Sequence, residues 1–176
     1  MKIAIDIDDT IAETTNYLMP LALKFNKEVL NKDNNIDNFF TFPKCFKWTE
    51  EELKKFCNEV FEKEVMNIPI IEDSNKYINL LKDSNEIIIA SSRNETQLSK
   101  PYEFTKNWLE KNNFKFNKLY VGIKYKDEII KKENIDVFID NSIGQCTYIK
   151  DHNNINVILF DKKKTWKEVY EYINTL

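Results

Sequence analysis

The stretch IAIDIDDT, residues 3–10, places three acidic residues and a threonine at the end of an apolar, β-branched run. Such a run is typical of a strand buried on both faces. A strand that ends in carboxylates delivers them to the carboxyl edge of its sheet, where open α/β folds bind their ligands. Carboxylates repel one another, so a group of them is unfavourable unless a cation or a proton lies between them. The stretch therefore predicts a functional site.

Further apolar runs indicate the fold. Including the first, we predict strands over residues 2–7, 86–90, 118–121, 136–139 and 156–160. Apolar residues at helical spacing predict helices over residues 101–112, 126–133, 142–150 and 165–173. Capping boxes at Thr49 and Thr165 each indicate the start of a helix. Strands that alternate with helices indicate βαβ crossovers. We expect an α/β fold: a Rossmann-like parallel sheet of about five strands with helices on both faces.

The long gap between the first and second strands predicts an inserted cap. A crossover needs about a dozen residues, which is far fewer than this gap contains. Helices are predicted within it over residues 14–29, 49–64 and 74–82. We expect a core domain formed by residues 1–12 and 75–176, and a small helical cap formed by residues 13–74.

An aromatic cluster lies in the irregular part of this cap. It consists of Phe39, Phe40, Phe42, Phe46 and Trp48. Aromatic rings can stack on a nucleic base, but they also dominate the burial of small cores. Both interpretations stay open at this point, and the second is the more common use of such a cluster.

Composition narrows the choice of partners. The 176 residues carry a formal net charge of −3, which offers no basic surface for duplex nucleic acid. The three cysteines have no CxxC spacing and suit a reducing compartment, and no apolar run approaches the length of a membrane span. We expect a cytoplasmic protein with no membrane partner, and a small anionic substrate remains open.

Asp6 and Asp8 are the first candidates for chemistry. Residues i and i+2 of a strand share a side, so both carboxylates are expected to face one pocket while Asp9 points away. Such a pair suits Mg²⁺, which binds well through one or two carboxylates together with phosphate. One carboxylate can also serve as a nucleophile and the other as an acid and base. The simpler alternative is a strand end with incidental acids before a helix.

Two later strands end in further candidates. Ser91, Ser92 and Arg93 follow the second strand, and hydroxyl and guanidinium groups suit phosphoryl oxygens. Asp140 ends the fourth strand and is followed by Asn141, which also fits a helix cap.

These pieces together resemble the haloacid dehalogenase superfamily, whose members are mainly phosphatases with an aspartate nucleophile. Its first motif, Asp-x-Asp-x-Thr after an apolar strand, matches residues 6–10. Ser91, a lysine and the Asp140-Asn141 pair follow in the order of its other three motifs. The resemblance spans the whole chain and is strongest to the 5′(3′)-deoxyribonucleotidase branch and its bacterial nucleotidase relatives. That branch inserts a small helical cap after the first motif.

The resemblance implies a role for each residue. Asp6 is the nucleophile and becomes an aspartyl-phosphate, and Asp8 is the acid and base. Lys126, preferred over Lys124 by its offset from the fourth motif, balances charge. The phosphoryl oxygens are bound by Ser91, with Ser92, and by Lys126. Arg93 is a further candidate phosphate ligand, and the alternative for it is an ion pair with a nearby carboxylate. The Mg²⁺ ligands are expected among Asp6, Asp8 (through its backbone carbonyl), Asp140 and Asn141.

One departure from the family pattern concerns the metal. The family often has two acids at the fourth motif, and the second is commonly the direct ligand, but here it is Asn141. Either Asp140 takes over or Asn141 serves as a neutral ligand that weakens binding. The resemblance implies a Mg²⁺-dependent 5′-nucleotidase that acts on a small phosphorylated metabolite, and we expect a monomer or a homodimer. A sugar phosphatase and a weakly active member with a regulatory role remain the alternatives.

Overall fold

A five-stranded parallel sheet forms the centre of the molecule in the computed structural model, which describes residues 1–37, 42–161 and 163–176. The strands are β1 (Lys2–Ile5), β2 (Glu86–Ser91), β3 (Lys118–Val121), β4 (Val137–Asp140) and β5 (Asn156–Leu159). Their order is β3-β2-β1-β4-β5, and every neighbouring pair is parallel. The predicted α/β fold is confirmed. Because the chain moves from β1 outward to β3 and returns on the other side of β1, the topological switch point lies between β1 and β4.

Eight α-helices lie within the described residues. They are α1 (Thr14–Glu28), α2 (Glu50–Phe56), α3 (Glu62–Glu64), α4 (Ser74–Lys82), α5 (Pro101–Lys111), α6 (Lys126–Glu133), α7 (Ile143–His152) and α8 (Trp166–Ile173). Both predicted capping boxes are present, at Thr49 before α2 and at Thr165 before α8. The helices predicted over residues 74–82 and 126–133 have the observed bounds.

The strands contribute alternate residues to two separate apolar layers. Ile3 and Ile5 of β1 belong to the larger layer, together with the helices of the insertion, α4, α5 and α8. Ala4 faces the opposite side and packs with residues of α6 and α7. Each face of the sheet is therefore covered, which explains why the strands are apolar throughout.

Other predicted elements are shifted at their ends, and two of the differences have a visible cause in the structure. β1 ends at Ile5, because the carbonyl of Ile7 accepts hydrogen bonds from the backbone N–H groups of residues 10, 11 and 12 and closes a turn. The helix predicted over residues 49–64 is interrupted by a π-helical segment, Cys57–Phe61. The buried residues Phe56 and Phe61 are five positions apart, a spacing that a π turn places on one side.

The aromatic cluster of the insertion is packed as a small core. The rings of Phe46 and Trp48 are stacked at 4.5 Å, and Phe56 lies 4.9 Å from Trp48. The Trp48 indole N–H donates to Asn26 Oδ1 at 2.8 Å. Phe39 and Phe40 lie outside the described residues. The division into a core and a cap at residues 13 and 74 stays a prediction, although the described part of the insertion contains only helices and connecting turns.

Within the described ranges, no helix is both long and apolar enough to cross a membrane.

Candidate active site

The three acidic residues of the opening stretch have different partners. Asp6 continues the line of β1, where its backbone N–H donates to the carbonyl of Ile139 at 3.0 Å. Asp8 lies beyond the strand and accepts from Arg93 and from Thr14. Asp9 has a φ of 58° and accepts from the backbone N–H of Thr15 at 2.8 Å, at the start of α1. Asp9 thus takes part in the entry into α1.

Lys126 lies between two carboxylates at the switch point. Its ammonium group donates to Asp6 Oδ1 and, at 2.6 Å, to Asp140 Oδ2. All three side chains are almost completely buried. The first turn of α6 therefore delivers a cation to the gap between β1 and β4. This arrangement meets the condition under which grouped carboxylates are tolerated.

The Thr10 hydroxyl joins the first and fourth motifs. It lies 3.5 Å from both Asp6 Oδ2 and Asn141 Oδ1, and it accepts from the backbone N–H of Asn141 at 3.1 Å. The indole N–H of Trp166 donates to the Thr10 carbonyl at 2.9 Å. Thr10 was part of the sequence motif but had no predicted role, and the sequence gives no signal for its contact with Trp166.

Ser91, the last residue of β2, and the two residues after it have different surroundings in the structure. Ser91 is buried, and its hydroxyl accepts from the backbone N–H of Arg93 at 3.2 Å. Ser92 is exposed. Arg93 turns inward and binds Asp8 through Nη2 at 2.7 Å and Nε at 3.0 Å. The structure thus brings Arg93 to a carboxylate of the site, which is one of the two uses that the sequence left open for it.

The surroundings shift the pKa values of the two candidate catalytic acids, Asp6 and Asp8, in opposite directions. Burial raises the pKa of Asp6 to about 7, although the charge of Lys126 opposes this. Burial also acts to raise the pKa of Asp8, but the charge and hydrogen bonds of Arg93, with a hydrogen bond from Thr14, bring that pKa below its ordinary value. Burial acts to lower the pKa of Lys126, but Asp6 and Asp140 raise it to about 12. At neutral pH Lys126 is therefore charged and Asp8 ionised.

The donor set near Thr10 fits Mg²⁺. Asp6 Oδ2 and Asn141 Oδ1 converge on the same hydroxyl, and both are hard oxygen donors. Among the described residues, no cluster of three or more His, Cys, Asp or Glu side chains forms a complete metal cage. Mg²⁺ does not require one, since it commonly keeps several waters and binds through one or two carboxylates and the substrate phosphate.

The contacts of Asp140 bear on the choice left open by the sequence. Its Oδ1 accepts from the backbone N–H of Ser142 at 2.7 Å, and its Oδ2 accepts from Lys126. Both oxygens are thus engaged, whereas among the described residues the amide oxygen of Asn141 has only the long contact with Thr10. This geometry favours Asn141 over Asp140 as the direct ligand.

Comparison with solved structures identifies the architecture. A haloacid dehalogenase-like family hydrolase from Streptococcus pneumoniae, SP0104, superposes with a TM-score of 0.69 at 10% sequence identity, covering 98% of this chain and 97% of that one. The chain has the haloacid dehalogenase fold. A haloacid dehalogenase family enzyme from Bacteroides thetaiotaomicron, BT-2542, superposes with a TM-score of 0.57 at 14% identity, over 96% of this chain and 97% of that one. That enzyme was solved in complex with magnesium and inorganic phosphate.

Sequence comparison adds a relative among the bacterial nucleotidases that the motifs resembled. "Putative nucleotidase YqfW" of Bacillus subtilis is 27% identical over 166 residues, which cover 92% of this chain and 80% of the relative. No family model matches the chain. The haloacid dehalogenase fold thus comes with sequence similarity to a protein named as a nucleotidase.

Proposed function

We propose that this chain is a Mg²⁺-dependent phosphomonoester hydrolase that works through an aspartyl-phosphate on Asp6. The observation that carries the proposal is the grouping of Asp6, Lys126 and Asp140 at the switch point, with Asp8 beside them. Ligands of open α/β sheets bind at such a switch point. The haloacid dehalogenase fold and the similarity to YqfW support the phosphatase class.

The first step transfers the phosphoryl group to the protein. A carboxylate oxygen of Asp6 attacks phosphorus, the P–O bond to the alcohol breaks, and its electron pair goes to the leaving oxygen. Asp8 gives that oxygen a proton, so that an alcohol departs instead of an alkoxide. Asp8 is ionised in the free protein. The negative charge of the bound substrate raises the pKa of Asp8, so that Asp8 can hold the proton that it gives to the leaving oxygen.

The second step returns the protein to its starting state. The Asp8 carboxylate removes a proton from a water molecule as the water oxygen attacks phosphorus. The P–O bond to Asp6 breaks and inorganic phosphate leaves, and Asp8 holds the proton only while a phosphate group lies beside it. In this proposal Lys126 balances the charge of the phosphoryl oxygens and the Ser91 hydroxyl binds them through this exchange.

Mg²⁺, held by Asp6, Asn141 and the backbone carbonyl of Asp8, would supply charge that stabilises the phosphoryl oxygens. BT-2542, which has the same fold, was solved with magnesium and phosphate, and this supports the choice of metal. Ser91 and Lys126 are the proposed phosphate ligands. Ser92 is kept as a weaker candidate because its side chain is exposed.

Nucleoside 5′-monophosphates are the proposed substrates, on the strength of the similarity to YqfW. The direct test is a panel of nucleoside monophosphates and sugar phosphates, assayed for phosphate release with Mg²⁺ and with a chelator. We expect Mg²⁺-dependent release, fastest for nucleotides, and loss of release in Asp6→Asn, which keeps the shape of the side chain. Equal release by wild type and Asp6→Asn would contradict the mechanism. Release only from sugar phosphates would contradict the substrate class.

A further inference from the structure

The Asp8–Arg93 ion pair has an asymmetric exposure. The Asp8 side chain is 34% exposed, whereas the Arg93 side chain is 1% exposed. A substrate that enters the site thus reaches Asp8 and not the guanidinium behind it. The two Arg93 groups that contact Asp8, Nε and Nη2, approach from the buried side.

The hydrogen bonds also distinguish the two oxygens of Asp8. Oδ1 accepts from the Thr14 hydroxyl at 2.6 Å and from Arg93 Nη2 at 2.7 Å. Oδ2 accepts from Arg93 Nε at 3.0 Å. Arg93 Nε also lies 3.3 Å from Oδ1. Oδ1 thus has three donors and Oδ2 one, so Oδ2 keeps more of its capacity to accept a proton. A bidentate pair of this kind fixes the plane of the carboxylate as well as its place.

Arg93 is itself held by two aromatic rings. Its guanidinium carbon lies 5.9 Å from the centre of the Phe61 ring and 5.8 Å from that of Trp108. Phe61 belongs to the π-helical segment of the insertion, and the Trp108 indole on α5 donates to the carbonyl of Ile68 at 2.8 Å. Within the described residues the buried Nη1 atom has no hydrogen-bond partner. The two ring faces offer this part of the cation its stabilisation.

We infer that Arg93 is a positioning residue, which holds Asp8 with Oδ2 turned toward the reacting oxygen, and that it does not bind the substrate phosphate. The inference rests on the proposed function, in which Asp8 protonates the leaving group. It sets aside the phosphate contact, the other use that the sequence left open. It also assigns a purpose to the π turn, which places the ring of Phe61 against the guanidinium from the side of the insertion.

The test compares a leaving group that needs no proton with one that does. Single-turnover release would be measured in wild type, Arg93→Met and Arg93→Lys, with p-nitrophenyl phosphate and with the best alkyl phosphomonoester of the panel. We expect alkyl release to fall about 100-fold in both variants, the size of a general acid contribution, and p-nitrophenolate release to stay within about threefold. Lysine keeps the charge but not the bidentate geometry, so it should not rescue.

A second measurement separates positioning from substrate binding. The affinity of the Mg²⁺-loaded protein for inorganic phosphate should be unchanged in Arg93→Lys. In an Asp8→Asn background, the Arg93→Lys change should have no further effect on p-nitrophenyl phosphate turnover, because a residue that acts through Asp8 has nothing left to position. Lys118→Met serves as a control. It removes the ion pair with Glu133 at the first residue of β3, whereas the candidate site lies at the carboxyl ends of the strands. Its leaving-group preference should match that of wild type.

Each contrary outcome is specific. Equal losses for the two leaving groups, together with weakened phosphate binding, would show that Arg93 binds substrate. Unchanged alkyl release would show that Arg93 neither binds substrate nor positions Asp8. If Arg93→Met fails to fold, Arg93→Lys carries the comparison. Absence of any phosphatase activity in wild type would instead reject the proposed function, and the two failures are thereby distinguished.

Discussion

Lys126 is the residue on which the electrostatics of the site depend, because it is the cation between two buried carboxylates. Its removal leaves Asp6 and Asp140 facing each other without compensation. Breaking a buried pair in this way typically costs about 3–5 kcal/mol of unfolding free energy. Protons can replace the missing cation at low pH, so the cost must depend on pH.

We therefore predict that Lys126→Met loses about 3 kcal/mol of stability near pH 8 and clearly less near pH 5. The pKa of Asp6 is already raised from 3.8 to about 7, and the variant raises it further. A carboxyl with a raised pKa binds more protons in the folded than in the unfolded state, so stability falls as pH rises through that window. Denaturant unfolding in the presence of a chelator measures both values. Equal losses at the two pH values would contradict the assignment.

Asn141 is the residue that separates this chain from the usual metal motif. We propose its amide oxygen as the direct Mg²⁺ ligand, since both oxygens of Asp140 are otherwise engaged. We predict that Asn141→Asp binds Mg²⁺ about tenfold more tightly, because an added ligand charge strengthens binding of a hard cation. The Mg²⁺ concentration for half-maximal activity and direct calorimetry both report this. The matched change Asp140→Asn should disturb Lys126 instead, and a larger effect on Mg²⁺ affinity there would reverse the assignment.

Helix α8 contacts the loop of the site that follows β1, although the two are far apart in the sequence. Trp166 is its first residue, is buried, and donates to the carbonyl of Thr10, whose hydroxyl lies between Asp6 and Asn141. The helix thus holds the loop that follows β1 in place through this hydrogen bond.

Trp166→Phe should remove this hydrogen bond and leave the Thr10 carbonyl unsatisfied, at a cost of about 1–3 kcal/mol. We expect kcat to fall by about tenfold as well, because small displacements of catalytic groups are costly. Thr165→Ala is the control: it removes the cap of α8, at a cost of about 1 kcal/mol, without touching Thr10. If the two variants lose activity equally, α8 contributes only stability.

The elements show which parts of the fold a sequence can predict. The β1 run, the capping boxes at Thr49 and Thr165 and the bounds of α6 follow from local chemistry, and each was predicted. The π turn was not, because it depends on which residues of the insertion are buried by distant parts of the chain.

The candidate site likewise contains residues that the sequence predicts and contacts that it does not indicate. Asp6, Ser91, Lys126 and Asp140 follow strand ends or motif order, and the structure brings Asp6, Lys126 and Asp140 into contact. The inward turn of Arg93 depends on Phe61 and Trp108, which lie on other elements, and no spacing in the sequence indicates it. Trp166 contacts Thr10 across most of the chain, and only the folded state shows this.

For the molecule as a whole, the cysteines test how tightly the described parts pack. Cys45, Cys57 and Cys146 are all free and buried. Burial raises the pKa of Cys57 to about 11 and that of Cys146 to about 12, and it also raises that of Cys45. Because the thiolate is the reactive form, none of the three should react readily near pH 8.

We predict that the native protein reacts with a thiol reagent far more slowly than free cysteine, and that all three thiols react after denaturation. Absorbance of the released chromophore follows both reactions, and single Cys→Ser variants assign them. Rapid labelling of Cys57 in the native state would show that the insertion opens in solution. Rapid labelling of Cys146, which lies under β4 and β5, would contradict the packing of the sheet itself.

The proposed mechanism requires that phosphate is bonded to Asp6 during turnover. Asp8→Asn should slow the return of the protein to its starting state, so the phosphorylated form accumulates with p-nitrophenyl phosphate, whose leaving group needs no proton. Borohydride reduces such an acyl phosphate to an alcohol, and peptide mass spectrometry then locates the change. We predict reduction at Asp6, dependent on Mg²⁺ and absent from the Asp6→Asn protein. Turnover without any reduced residue, or reduction at another carboxylate, would contradict the mechanism.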